Sequence, residues 1–247
     1  MARGLDGATQ YLRIDPTPVL AAPLTMACWF YTTDDTAYQM LMASNEDLAG
    51  RFDRFHLTAQ GSVAGDPLGA NTQDGASGGN ALTSTGFSIN TWHHACGVFA
   101  AANSRAVYLD GGGKGTDATN VVPTSLDRFS IGADWRSDGD GLPRFFLNGG
   151  VAEAAVWNVA LTDAEVLILA AGYRPTFVRP DGLVAYWPLI WNDRDRWGDT
   201  LYPLVDMGGP PKVDHVPIRY SINPYVGYPS IADDVIIRTL PTTGAGR

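Results

Sequence analysis

The stretch 146–165 reads Phe146-Leu147-Asn148-Gly149-Gly150-Val151-Ala152-Glu153-Ala154-Ala155-Val156-Trp157-Asn158-Val159-Ala160-Leu161-Thr162-Asp163-Ala164-Glu165, and its pattern changes midway. Residues 151–157 form a short apolar run ending on Trp157, which suits a strand packed on both faces. Thr162 and Glu165 then take the T-x-x-E spacing of a capping box, 166–171 are apolar, and Gly172 is placed to end a short helix. A strand followed by a capped helix is therefore expected. The capping task makes Glu165 a structural carboxylate and not a catalytic one.

Working outward from this stretch, short alternating or apolar runs at 10–14, 24–31, 38–43, 54–59, 91–99, 105–109 and 128–131 predict further strands, enough for two packed sheets. Residues 61–86, dominated by Gly, Ala, Ser, Asn and Asp, read as loop with one or two short strands and as a binding rim. Asp110-Gly111 supplies the positive φ of a hairpin turn. Beyond Tyr173 the texture changes, because ten of the sixteen prolines fall between Pro175 and Pro241 and interrupt long elements. That region is nevertheless rich in Trp and Tyr, more aromatic surface than a solvated linker tolerates.

The predicted fold is all-β, a two-sheet antiparallel jelly-roll sandwich over 1–173 with one short helix. Residues 174–247 form an extended C-terminal arm that packs on the sandwich or on a partner subunit, and 1–173 are expected to fold without it. Composition supports this: 28 Gly, 16 Pro and only three Glu in 247 residues are the mark of many strands and tight turns. A net charge of −9 opposes phosphate backbones and anionic lipid surfaces, so nucleic-acid binding is excluded. No apolar run is long enough for membrane insertion as a helix, and the first ten residues lack the apolar stretch of a secretory leader. Cys28 and Cys96 lie in strand-like runs and are read as buried free thiols, with a bridge between them left open.

Three segments resemble the laminin-G-like and pentraxin-like branch of the concanavalin A-like lectin/glucanase superfamily. They are Leu5-Asp6-Gly7 with Tyr11-Leu12-Arg13-Ile14; Asn90-Thr91-Trp92-His93-His94 with Val107-Tyr108-Leu109-Asp110-Gly111; and the closing stretch quoted first. They occur in the family's order across 5–172. Residues 182–189, Gly-Leu-Val-Ala-Tyr-Trp-Pro-Leu, are similar to a strand that often introduces another such domain, and are read here as a strand returning to the sandwich. The resemblance implies a structural calcium held by Asp6 and Glu153, with no cofactor required.

Glycoside hydrolysis needs two carboxyl groups flanking the scissile bond. No alternating run of acids supplies them, and Glu153 is flanked by alanines, so no enzyme activity is expected. His93 and His94, as neighbours on a strand, point to opposite faces and cannot share a metal ion. Trp29, Trp92 and Trp157 are read as core. Trp135, beside the acidic residues Asp134, Asp138 and Asp140, is the candidate platform for a sugar ring.

Two functions fit these readings. In the first, the arm residues Trp187, Trp191, Trp197, Tyr220, Tyr225 and Tyr228 attach the sandwich to capsid or tail subunits, or to another copy of itself, as a decoration on a phage or viral virion assembled in the cytosol. In the second, the chain is a lectin-type adhesion module that binds glycans in an extracellular or cell-surface setting.

Overall fold

The computed structural model describes residues 2–46, 52–75, 77–135, 142–190 and 202–219. The alternating pattern closes into two antiparallel sheets with one α-helix, as expected. In sheet A, β1 (Ala2–Asp6) and β3 (Leu24–Thr32) flank β12 (Asn148–Trp157). Beyond β3 follow β8 (Trp92–Ala101), β9 (Ser104–Leu109) and β10 (Gly112–Asp117). Sheet B runs through β2 (Tyr11–Ile14), β11 (Arg128–Ile131), β4 (Tyr38–Asn45), β5 (Arg54–Gln60), β6 (Pro67–Gln73) and β7 (Gly78–Gly86). Alternate side chains such as Met26, Cys28 and Phe30 of β3 meet Phe55, Leu57 and Ala59 of β5 in one core between the sheets.

The stretch 146–165 folds as its pattern dictates. Thr162 caps helix α1 (Asp163–Ala170), with its hydroxyl accepting from the Glu165 N–H and the Glu165 carboxylate accepting from the Thr162 N–H. The helix lays Val166 and Leu169 on the outer face of sheet A, against Trp157, Cys96 and Tyr108. Asp110 and Gly111 take φ values of 52° and 75° in the β9–β10 turn. No helix among the described residues is long and apolar enough to cross a membrane.

The reading of 61–86 is corrected in extent. Residues 67–73 and 78–86, expected as loop with one or two short strands, are two full strands and form one edge of sheet B. Their small residues answer to proximity: a Cβ on Gly79 would stand 1.6 Å from an Arg105 guanidinium nitrogen, and one on Gly115 of β10 would stand 1.7 Å from the Leu82 carbonyl oxygen. Glycine here serves close approach between sheet edges, a need that reads in sequence like a flexible linker.

Part of the arm lies against the sandwich. β13 (Leu183–Trp187) pairs with β12, β14 (Val205–Met207) with β2, and β15 (Lys212–Val213) with β1, so three strands from the Pro-rich region extend the sandwich's own sheets. Trp187 is fully buried, stacked on Phe129 with centroids 5.5 Å apart, and its indole N–H donates to the Tyr202 carbonyl at 2.7 Å. It is a core residue and not a docking residue. Trp191, Trp197, Tyr220, Tyr225 and Tyr228 lie outside the described residues.

Candidate functional site

β5 alternates Arg54-Phe55-His56-Leu57-Thr58, which sends Phe55 and Leu57 into the core and Arg54 and His56 to the outer face of sheet B. Register places Asn45 of β4 and Gln73 of β6 beside Arg54, and Ala43 and Asn71 beside His56. Polar groups thus line up across three neighbouring strands. The connection between β11 and β12 folds over this face: the Phe145 carbonyl accepts from Met40 N–H at 2.7 Å, and Asp134 and Arg144 exchange backbone hydrogen bonds of 2.8 and 3.0 Å.

These elements enclose a hollow of about 580 Å³. Arg54, His56 and Gln73 line it, Tyr38, Phe52 and Phe145 form its apolar wall, and Asp134 closes it. Tyr38 and Phe145 meet edge to face at 5.0 Å, and Phe145 remains 41% exposed. Below the rim, His56 Nε2 donates to Asn45 Oδ1 at 2.6 Å and lies 3.5 Å from Asp134 Oδ1. Donors and acceptors fixed on neighbouring strands beside an aromatic wall can hold a polyhydroxylated ring by its edges and its face.

Of the described residues singled out in sequence, only Asp134 lines this hollow, and it is wholly buried. Trp135 is not an open platform: it is 8% exposed, and the Arg13 and Arg128 guanidinium groups each lie 4.4 Å from its ring centroid. Cation–π contacts hold it in place and cover the ring a sugar would need. Asp138 and Asp140 lie outside the described residues. Arg54, His56, Gln73, Tyr38 and Phe145 escaped notice, although the polar-apolar alternation of 54–60 in an interior strand was the available signal.

The paired calcium ligands do not meet. Asp6 is in register with Asn148, leaving Glu153 five residues further along β12, roughly 16 Å away at the rise of a strand. Asp6 accepts from the N–H groups of Ala8, Thr9 and Gln10 and from the Thr9 hydroxyl. Burial pushes its pKa up, but these four bonds together outweigh it and hold the carboxyl far below the usual range. Glu153 is buried at a bulge in β12 with φ of 51°, accepting from the Tyr186 hydroxyl. Among the described residues no group of three or more His, Cys, Asp or Glu is arranged to hold a metal ion.

Trp92 departs from its expected core position. It lies half-buried on the outer face of sheet A with Tyr31, at a ring separation of 5.9 Å. His93 and His94 do face opposite ways, His93 Nδ1 donating to Asp110 at 2.7 Å while His94 packs against Trp29.

Residues 6–167 match a family model described as "Concanavalin A-like lectin/glucanases superfamily". No curated protein matches the chain. Among solved structures, the native heptameric SAP-like pentraxin from Limulus polyphemus is similar at 18% identity and a TM-score of 0.53, over 68% of this chain and 79% of that one. A putative carbohydrate binding protein from Bacteroides ovatus is similar at 16% identity and a TM-score of 0.58, over 89% of this chain and 62% of that one. The CBM40 of Ruminococcus gnavus IT-sialidase, bound to alpha2,3 sialyllactose, is similar at 14% identity and a TM-score of 0.55, over 69% of this chain and 98% of that one. At such identities the likeness is one of fold.

Proposed function

The chain belongs to the Concanavalin A-like lectin/glucanases superfamily, and from that premise we propose that it is a non-enzymatic carbohydrate-binding module whose site is the hollow on sheet B. The observation that carries this reading is the set of Arg54, His56 and Gln73 on adjacent strands beside the Tyr38–Phe145 wall. A sugar ring would lay its apolar face on Phe145 and present hydroxyls to the guanidinium, imidazole and amide. Among the described residues Asp134 is the single carboxylate that lines the hollow, where glycoside hydrolysis uses a pair, which supports binding without turnover. Two of the similar structures carry sugar-binding descriptions, one of them with sialyllactose bound. Attachment to a virion partner draws less support, since Tyr186 and Trp187 and the strands that follow them complete this chain's own sheets.

The test is a glycan array of neutral and anionic saccharides probed with the full chain, followed by calorimetry on the best hit. Arg54→Ala and Phe145→Ala are each expected to weaken binding about tenfold or more, the consequence of losing a charge-assisted hydrogen bond or a stacking surface. A blank array, or affinity unchanged in both variants, would overturn the assignment.

A further inference from the structure

The outer face of sheet A, on the opposite side of the sandwich from the hollow, carries a trough of about 740 Å³. Its floor is one transverse row set by strand register: Trp92 opposes Tyr31, Tyr31 opposes Gly150, and Gly150 opposes Gly4. Neither glycine has a positive φ, so backbone conformation does not call for it. Room does. A Cβ on Gly150 would stand 3.2 Å from Trp92 Cη2, which shows that the indole lies across β3 and over β12. A Cβ on Gly4 would stand 2.7 Å from Val213 Cγ1, so its absence admits the far wall, Pro211 to Asp214.

That wall is anchored along its length. Gly4 N–H donates to the Pro211 carbonyl at 2.7 Å, Val216 packs with Ala2 and Ala152, and Arg219 N–H donates to the Gly172 carbonyl at 2.7 Å. The trough is therefore a built concavity with two half-buried rings and a fixed edge.

Its charge is one-sided. Among the described residues Asp6 and Asp214 line it and no Lys, Arg or His does, while Gln10 and Asn148 add amide groups. The Asp6 carboxylate stays ionised because backbone N–H groups hold it. A cation beside an aromatic face in a trough lined by carboxylates is attracted twice, by the ring quadrupole and by the negative charge. We infer that this trough is a second ligand site, selective for a protonated amino sugar: the ring stacks on Trp92 and Tyr31, the ammonium faces Asp214, and the amides take hydroxyls. The site is independent of the sheet B hollow and stands or falls apart from it.

Calorimetry of the full chain with a short glucosamine oligomer and with its N-acetylated counterpart tests this, because the two share a ring and differ in charge. The amine form is expected to bind and to weaken with added salt, and the acetylated form to bind at least about tenfold less tightly. Trp92→Ala should abolish binding. Asp214→Asn, an exposed change that leaves the fold alone, should weaken the amine form about fivefold. Arg54→Ala should leave glucosamine binding in place, which separates this site from the hollow. Equal binding of both oligomers, no binding of either, or unchanged affinity in Asp214→Asn would overturn the inference.

Discussion

His215 Nε2 stands 3.1 Å from Glu153 Oε1, joining the last described segment of the chain to the bulge at the centre of sheet A. The other ring nitrogen faces the Val216 carbonyl at 2.6 Å, so both nitrogens of the imidazole are engaged. Tyr186 donates to the second Glu153 oxygen. The left-handed backbone of Glu153 costs free energy that a strand residue ordinarily avoids. What it gains is a carboxylate aimed at the imidazole and the phenol, which ties 214–219 across the sheet.

Removing the imidazole leaves one oxygen of the buried Glu153 carboxylate without its neighbour, a change that costs more than the contact contributes. His215→Ala is expected to lower the unfolding free energy by about 2–4 kcal/mol, and to loosen the wall of the trough. Chemical denaturation together with hydrogen exchange at 211–216 measures both effects. Stability within about 0.5 kcal/mol of the wild type would mean that the contact does not hold the segment.

Truncation after Tyr173 gives a second prediction, opposite to the one sequence reading suggests. Trp187 and Leu189 belong to the central core, and Leu183 and Tyr186 to the layer beneath α1. Deleting 174–247 uncovers the Phe129 ring and one edge of β12. The shortened chain is expected to be insoluble or unfolded, and Trp187→Ala alone to destabilise by about 3–5 kcal/mol. A soluble, cooperatively melting 1–173 fragment would contradict the packing described.

How far the fold could be read ahead follows from the same residues. Capping boxes and Asp-Gly turns are local, so α1 and the β9–β10 turn were legible at 162–165 and 110–111. Strands such as β3 and β8 carry their apolar face on alternate residues and were equally plain. β6 and β7 were not, because a glycine such as Gly79 responds to Arg105 on the opposite sheet, far away in sequence. The sites suffered for a related reason: an acidic loop beside a tryptophan attracts notice, whereas Arg54, His56 and Gln73 come together only once β5 and β6 are in register. Trp92 resembled a core residue because the face it occupies is apolar along most of its length and opens only at one end.

His94 supplies a dependence on pH. Burial brings its pKa down to about 4, against a small upward pull from Asp110. The unfolded chain takes up a proton near the ordinary imidazole value of about 6.5, while the folded chain does not until far lower. Stability from this residue is therefore fully present above the unfolded value and falls as pH drops toward about 4. The loss approaches about 3 kcal/mol. Urea unfolding across that range should show a steeper decline in the wild type than in His94→Leu, and parallel slopes would rule the residue out as the cause.

Cys28 and Cys96 allow the last prediction. β3 and β8 pair Ala27 with Cys96 and Cys28 with Ala95, so the two cysteines are diagonal neighbours whose side chains leave opposite faces of sheet A. Cys28 enters the core between the sheets, and Cys96 enters the layer under α1. Both are free and fully buried, and burial pushes both thiols well above their ordinary range. Since the thiolate is the reactive form, neither should react with a maleimide or a disulfide reagent in the native protein, and both should react at once in denaturant. Labelling followed by intact mass distinguishes the cases: two labels only after unfolding is the expected result, and a native-state label would show that the layer under α1 opens far more readily than its packing implies.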